Sequence, residues 1–167
     1  MSHNGDTAKA IHKTGAGMFA FGNVFNRQSF LFMLNLEIKR AQRYQDYLSL
    51  VSLTFGHLDP LLGESSTISF KTLANLLKDT LRDTDIIGQS GRNQLLVMLP
   101  YADMAEVTRV RERLEKTLHD YGFRRKGFTI EISEVCFPTH ATNVDDLLQM
   151  AGDNAGEELY VRTCGYA

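Results

Sequence analysis

The stretch Asp85 to Pro100, DIIGQSGRNQLLVMLP, decides how the rest of the chain is read. Two apolar runs flank Ser90-Gly91-Arg92-Asn93, and Gly and Asn both tolerate positive φ. The stretch therefore predicts a β-hairpin with an exposed turn at Gly91 to Asn93. Downstream, Val107, Val110, Leu114 and Leu118 mark a long helix by their spacing. Residues 127 to 137, GFTIEISEVCF, read as a strand, and a last helix runs from Asn143 to about Asp153 with Asn143 or its neighbour as N-cap. Upstream, Leu73, Leu76/Leu77 and Leu81 place a helix over Ser69 to Leu81. Tyr47 to Phe55, YLSLVSLTF, alternates apolar residues with serines and predicts a half-buried strand. Between these two lies GHLDPLLGESST, a loop by its Pro60, Gly63 and polar cluster. From Asn26, NRQSFLFMLNLEIKRAQRYQD repeats apolar positions at Phe30, Leu34 and Ile38 and predicts an amphipathic helix of roughly five turns.

The order helix, strand, helix, hairpin, helix, strand, helix implies an α/β (α+β) fold. We expect a central, mostly antiparallel sheet of about five strands wrapped by four main helices, in a sandwich of the ferredoxin-like kind with one sheet face covered. Residues 1 to 17 and 156 to 167 are expected to be tails around a domain spanning 18 to 155.

Composition narrows the function. The 167 residues are 43% hydrophobic and 23% charged, the balance of a folded globular domain. Eighteen Lys+Arg against twenty Asp+Glu give a net charge of −2, which argues against a non-specific nucleic-acid binder. The longest apolar runs, Phe30 to Leu34 and Leu95 to Leu99, are too short to cross a bilayer. The N-terminal residues lack the apolar core of a secretory signal, so a cytoplasmic location without membrane insertion is expected. Cys136 and Cys164 show no metal-ligand spacing, and His57, His119 and His140 have no partner at ligand spacing, so no metal is expected.

The element order and the residues at its joints resemble the GGDEF family of diguanylate cyclases. Phe19 to Phe30, FAFGNVFNRQSF, matches the family's DxLTGLxNRxxF at Asn26, Arg27 and Phe30, with Phe19 at the leading Asp position. Glu37, Arg40, Ala41, Arg43 and Leu48-Ser49-Leu50 fit the next pattern. Ala74, Leu77, Leu81, Arg82 and Asp85 fit the one after, followed by Leu99-Pro100 and Glu112-Arg113. The match covers roughly residues 19 to 155 and implies a nucleotide-cyclase-like fold.

The signature itself is replaced. Gly91-Arg92-Asn93-Gln94-Leu95 stands where the resemblance places Gly-Gly-Asp-Glu-Phe, and the family's metal-binding DxD falls on Thr54-Phe55-Gly56. The guanine-binding loop is also shorter. Thr54, Gly56, Asn93 and Gln94 offer only neutral oxygens where a bridging divalent cation wants carboxylates. Arg92 adds a bulky cation where phosphate would approach a bare glycine. The expectation is no cyclase activity and no cofactor.

What remains is the family's inhibitory-site pattern Arg-x-x-Asp, carried by Arg82 and Asp85 at the right distance from Gly91, together with Arg113 on the next helix. A guanidinium can donate to guanine O6 and N7 or to phosphate, and a carboxylate can accept from N1 and N2 of the same base. Arg109 and Arg113 add a like-charge i,i+4 pair, unfavourable unless an anion or Glu106 relieves it. The same residues suit a purely structural role, Arg82 at a helix C-terminus and Asp85 capping the turn into the hairpin. Two readings stand. One is a receptor for cyclic di-GMP through Arg82, Asp85, Arg109 and Arg113. The other is a nucleotide-independent docking or homodimerisation module for a protein partner. Arg124-Arg125-Lys126 reads as a solvated basic turn.

Overall fold

The computed structural model describes residues 17–59 and 66–153. Residues 1–16 and the proposed C-terminal tail lie outside them. The chain runs β1 (Phe19–Phe21), β2 (Val24–Phe25), α1 (Arg27–Tyr44), β3 (Leu48–His57), α2 (Ser66–Thr80), β4 (Ile86–Gln89), β5 (Gln94–Pro100), α3 (Met104–Tyr121), a 3-10 turn (Phe123–Lys126), β6 (Phe128–Phe137) and α4 (Val144–Met150). The sheet order is β1-β2-β4-β5-β3-β6, antiparallel throughout except where β2 runs parallel to β4. The expected order of long elements is the observed one. The sheet has six strands rather than about five, because β1 and β2 add a short ribbon at one edge. Strands of three and two residues carry no readable alternation.

Two expectations about burial are corrected. The sheet is covered on both faces, not one, and β3 is buried on both rather than half-buried. Val51, Leu53 and Phe55 pack with Leu73 and Leu77 of α2 and Val107 and Leu114 of α3. Leu48 and Leu50 pack with Phe30, Leu34 and Ile38 of α1 and Leu147 of α4. Even the serines of β3 are enclosed: Ser49 Oγ donates to the Ala102 carbonyl at 2.8 Å. The serines that suggested a wet face are buried polar groups with partners.

Local signals explain the helix ends. Asn26 Oδ1 accepts from Ser29 N at 2.9 Å to open α1. Asp103 and Glu106 close a reciprocal capping box on α3, and Gly122 ends that helix at φ +81°, a region glycine enters without strain. Asn143 caps α4, accepting from Asp146 N at 2.8 Å. The closest approach between layers is at Gly88 on β4. A Cβ there would lie 2.4 Å from the Phe30 ring, so a bare backbone is what lets α1 rest on the sheet.

Candidate functional site

Arg82 and Asp85 sit in the turn that carries the chain from α2 into β4. Asp85 Oδ2 accepts from Arg82 N at 2.8 Å, and Asp85 N donates to Arg82 O at 3.0 Å, so the carboxylate builds the turn as the capping reading expects. That bond fixes where both side chains start. With Arg109 and Arg113 from α3 they line one hollow of about 150 Å³, closed by Leu99 and Pro100 at the end of β5. Residues from two separate segments, named from sequence as a set, are thus brought to one place. Glu106 lines the same hollow, and its carboxylate also serves the α3 capping box.

Burial raises the Asp85 pKa above the ordinary carboxylate value. Its bond from Arg82 N and the positive charges of Arg82 and Arg113 pull the other way without cancelling the shift. Arg82, Arg109 and Arg113 are exposed. Exposed cations around a half-buried carboxylate are the complement of a ligand with phosphates outside and a hydrogen-bonding base edge inside.

The hairpin turn lies at the other end of β4. Arg92 and Asn93 are exposed, as expected, but neither Gly91 nor Asn93 adopts a positive φ, and nothing lies within 4 Å of a Cβ placed on Gly91. The glycine tolerance that suggested a hairpin is not what makes it. The turn is held instead by Ser90 N donating to Gln94 O at 3.0 Å and by Phe55 N donating to Asn93 O at 2.7 Å.

Thr54 pairs with Gln94 across β3 and β5, but the Gln94 amide reaches past it. Its Nε2 donates to Ser52 Oγ at 2.8 Å and to the Gly152 carbonyl at 2.7 Å. Beside it Arg27 makes a two-pronged ion pair with Asp153 at 2.7 Å, and Ser90 Oγ bonds to both. Ser52, Arg27 and Asp153 were not named as site residues from sequence. The two-residue alternation of β3 put Ser52 on Thr54's face, whereas nothing in the sequence ties Asp153 to Arg27.

This donor set does not fit a divalent cation. Gln94 Oε1 is a buried oxygen without a partner, but it is a neutral amide oxygen beside the hydroxyls of Ser52 and Thr54. The nearby carboxylate, Asp153, is engaged by Arg27 and Ser90. Among the described residues no three His, Cys, Asp or Glu side chains gather as metal ligands.

The largest hollow described, about 690 Å³, lies elsewhere, between β6 and the C-terminal end of α3, with Arg124 and Arg125 on its rim and Phe123, Ile130 and Ile132 on its floor. Lys126 of the basic turn lies over the Tyr121 ring at 3.8 Å. Of His57, His119 and His140, His57 packs against the rings of Phe55 and Phe128. Cys136 is buried and free. Among the described residues no helix is long and apolar enough to cross a membrane.

A two-sided α/β sheet whose β4–β5 hairpin carries a polar cluster at its tip is the framework of a nucleotide-cyclase-like domain. The chain belongs to the family described as diguanylate cyclase, GGDEF domain, which it matches over residues 20–159. Solved structures share the fold. A diguanylate cyclase protein from Thermotoga maritima superposes with TM-score 0.68 at 13% identity, covering 77% of this chain and 93% of that one. The isolated GGDEF domain of TpbB (YfiN) from Pseudomonas aeruginosa gives 0.67 at 19%, covering 84% and 86%. The GGDEF domain of DgcB from Caulobacter crescentus, solved with c-di-GMP, gives 0.59 at 15%, covering 90% and 92%. A comparison with curated proteins finds no match.

Proposed function

We propose that this chain is a catalytically inactive GGDEF domain of bacterial cyclic di-GMP signalling, working in the cytoplasm as a receptor for the dinucleotide. The observation that carries this reading is the gathering of Arg82, Asp85, Arg109 and Arg113 around one hollow. Arg82 donates to the guanine O6/N7 edge or to a phosphate. Asp85 accepts from guanine N1 and N2, selecting it over adenine. Arg113 and Arg109 hold phosphate from the neighbouring helix. The inactivity rests on the hairpin tip, where an amide and two hydroxyls stand in place of the carboxylates that would hold a cation bridging two GTP molecules. Joining those molecules also needs a 3′-hydroxyl deprotonated, work that such a cation would support.

Calorimetric titration with cyclic di-GMP tests the receptor reading, and incubation with GTP and Mg²⁺ or Mn²⁺ tests the inactivity. Saturable binding by tens of micromolar ligand and no product above a heat-killed control are expected. Absence of binding would leave the chain as a docking or dimerisation module, and product would make it an enzyme.

A further inference from the structure

The hollow around Arg82, Asp85 and Arg113 measures about 150 Å³, well below the roughly 300–1,000 Å³ of a typical small-molecule site. A dinucleotide does not fit there alone. Arg82 and Asp85, however, also line a second hollow of about 450 Å³ on their other side. It lies at the edge of the sheet, where β2 runs parallel to β4 with Phe25 opposite Gly88, and Ile86 and Ile87 line the space.

The remaining residues around that space differ in kind from those of the first hollow. Phe19 and Phe25 stack with ring centroids 4.5 Å apart and both line it, and Phe19 is 45% exposed. Asp83 and Lys78 complete the wall, both exposed. Lys78 lies on one stripe of α2 and its C-terminal extension with Lys71, Asn75 and Arg82, spaced i, i+4, i+7 and i+11. A flat aromatic face, a cation and a carboxylate are the complement of a nucleobase with its phosphate. The face stacks, the cation meets the phosphate, and Asp83 accepts from guanine nitrogens.

We propose that this hollow at the sheet edge is a second nucleotide subsite, in which Phe19, backed by Phe25, stacks on one base of the dinucleotide and Lys78 meets its phosphate while the other base lies against Asp85 and Arg113. Arg82 is the ridge between the two halves. This inference rests on the reading of Arg82 and Asp85 as a guanine-dinucleotide site, and it assigns the stacking partner which that site otherwise lacks.

The chain has no tryptophan, so Phe19→Trp puts a sole tryptophan, excited selectively over the tyrosines, at the proposed contact. Cyclic di-GMP is expected to quench it. Phe19→Leu keeps apolar packing on Phe25 but loses the flat face. It should weaken cyclic di-GMP by about tenfold or more at an unchanged melting temperature. Lys78→Ala, on an exposed helix face, should weaken it severalfold. If Phe19→Leu and Lys78→Ala both bind like wild type while Arg82→Ala does not, the subsite is wrong and the receptor reading stands. If the wild-type chain binds no cyclic di-GMP, both fail together.

Discussion

β4 carries a polar cluster at each end, separated by four residues, about 13 Å at roughly 3.3 Å per residue. At the hairpin end, the charged pair Arg27–Asp153 and the Gln94 amide point at each other's neighbours, and their hydrogen bonds close within the protein. At the other end, exposed Arg82, Arg109 and Arg113 surround a half-buried Asp85 whose pKa burial has raised. Apart from the exposed Arg92 and Asn93, the first end is a clasp for the chain just after α4. The second keeps three cations facing solvent. The strand and its helices need only packing from either end, so the proposed loss of chemistry at one is compatible with the proposed recognition at the other.

The sharpest way to break this contrast is at the second end. A charge-assisted hydrogen bond contributes roughly 1.5–3 kcal/mol, so Arg82→Ala should weaken cyclic di-GMP by about ten- to a hundredfold. Arg92→Ala, at the opposite end, should leave the affinity unchanged. Calorimetry on both variants checks the pair. Equal losses would place the ligand at the hairpin, and silence of Arg82→Ala would remove it from the hollow.

Two glycines sharpen the comparison for stability. Gly88→Ala drives a Cβ into the Phe30 ring, and overpacking of this kind costs about 1–3 kcal/mol. Gly91→Ala meets nothing and needs no unusual φ, so it should stay within about 0.5 kcal/mol of wild type. Thermal melts should separate them by several degrees. A Gly91→Ala chain that melts as low as Gly88→Ala would show that the hairpin tip holds strain invisible in its contacts.

Much of this was legible in the sequence, and the exceptions share a cause. The helical spacing of Phe30, Leu34 and Ile38 and the flanking runs of the hairpin are local patterns, and they appear where expected. Arg82, Asp85 and Arg113 could be gathered in advance because a family resemblance supplied the long-range pairing that spacing does not, and Arg109 joined them through its i,i+4 spacing from Arg113. The misses were long-range facts without such a guide. Ser52 reads as a mark of solvent until Gln94, 42 residues on, reaches it. Arg27 meets Asp153 across 126 residues. Phe19 and Phe25 sit in strands too short to show alternation, and only the fold sets their rings beside Lys78 and Arg82.

Acid should act on the two ends differently. Burial makes Asp85 protonate at higher pH than an ordinary carboxylate. As pH falls through that raised value, the group stops accepting from guanine, and cyclic di-GMP affinity should drop severalfold. Folding stability moves the opposite way. A carboxyl with its folded pKa raised contributes stability that is fully present below the unfolded pKa and lost as pH rises through the folded one. Asp85→Asn keeps an acceptor for Arg82 N but has no charge to titrate, so its affinity should be flat across the same window. An identical acid drop in Asp85→Asn would place the titration outside Asp85.

The smallest expected effect comes from an attempt to rebuild the hairpin end. Arg92→Gly, Asn93→Asp and Gln94→Glu together restore the family signature in letters up to its last position. At residue 94, however, the present side chain is 3% exposed and donates to Ser52 Oγ and the Gly152 carbonyl. A carboxylate can only accept, so it would face that carbonyl with no donor between them, and the nearby Arg27 is already bound to Asp153. Ser52 and Thr54 would still contribute hydroxyls rather than a second carboxylate to any cation. The triple variant should therefore melt below wild type and form no cyclic di-GMP from GTP and Mn²⁺ above a heat-killed control. Product from it would mean that hydroxyl oxygens on β3 suffice to hold the metal, and that the hairpin end is dormant by only three residues.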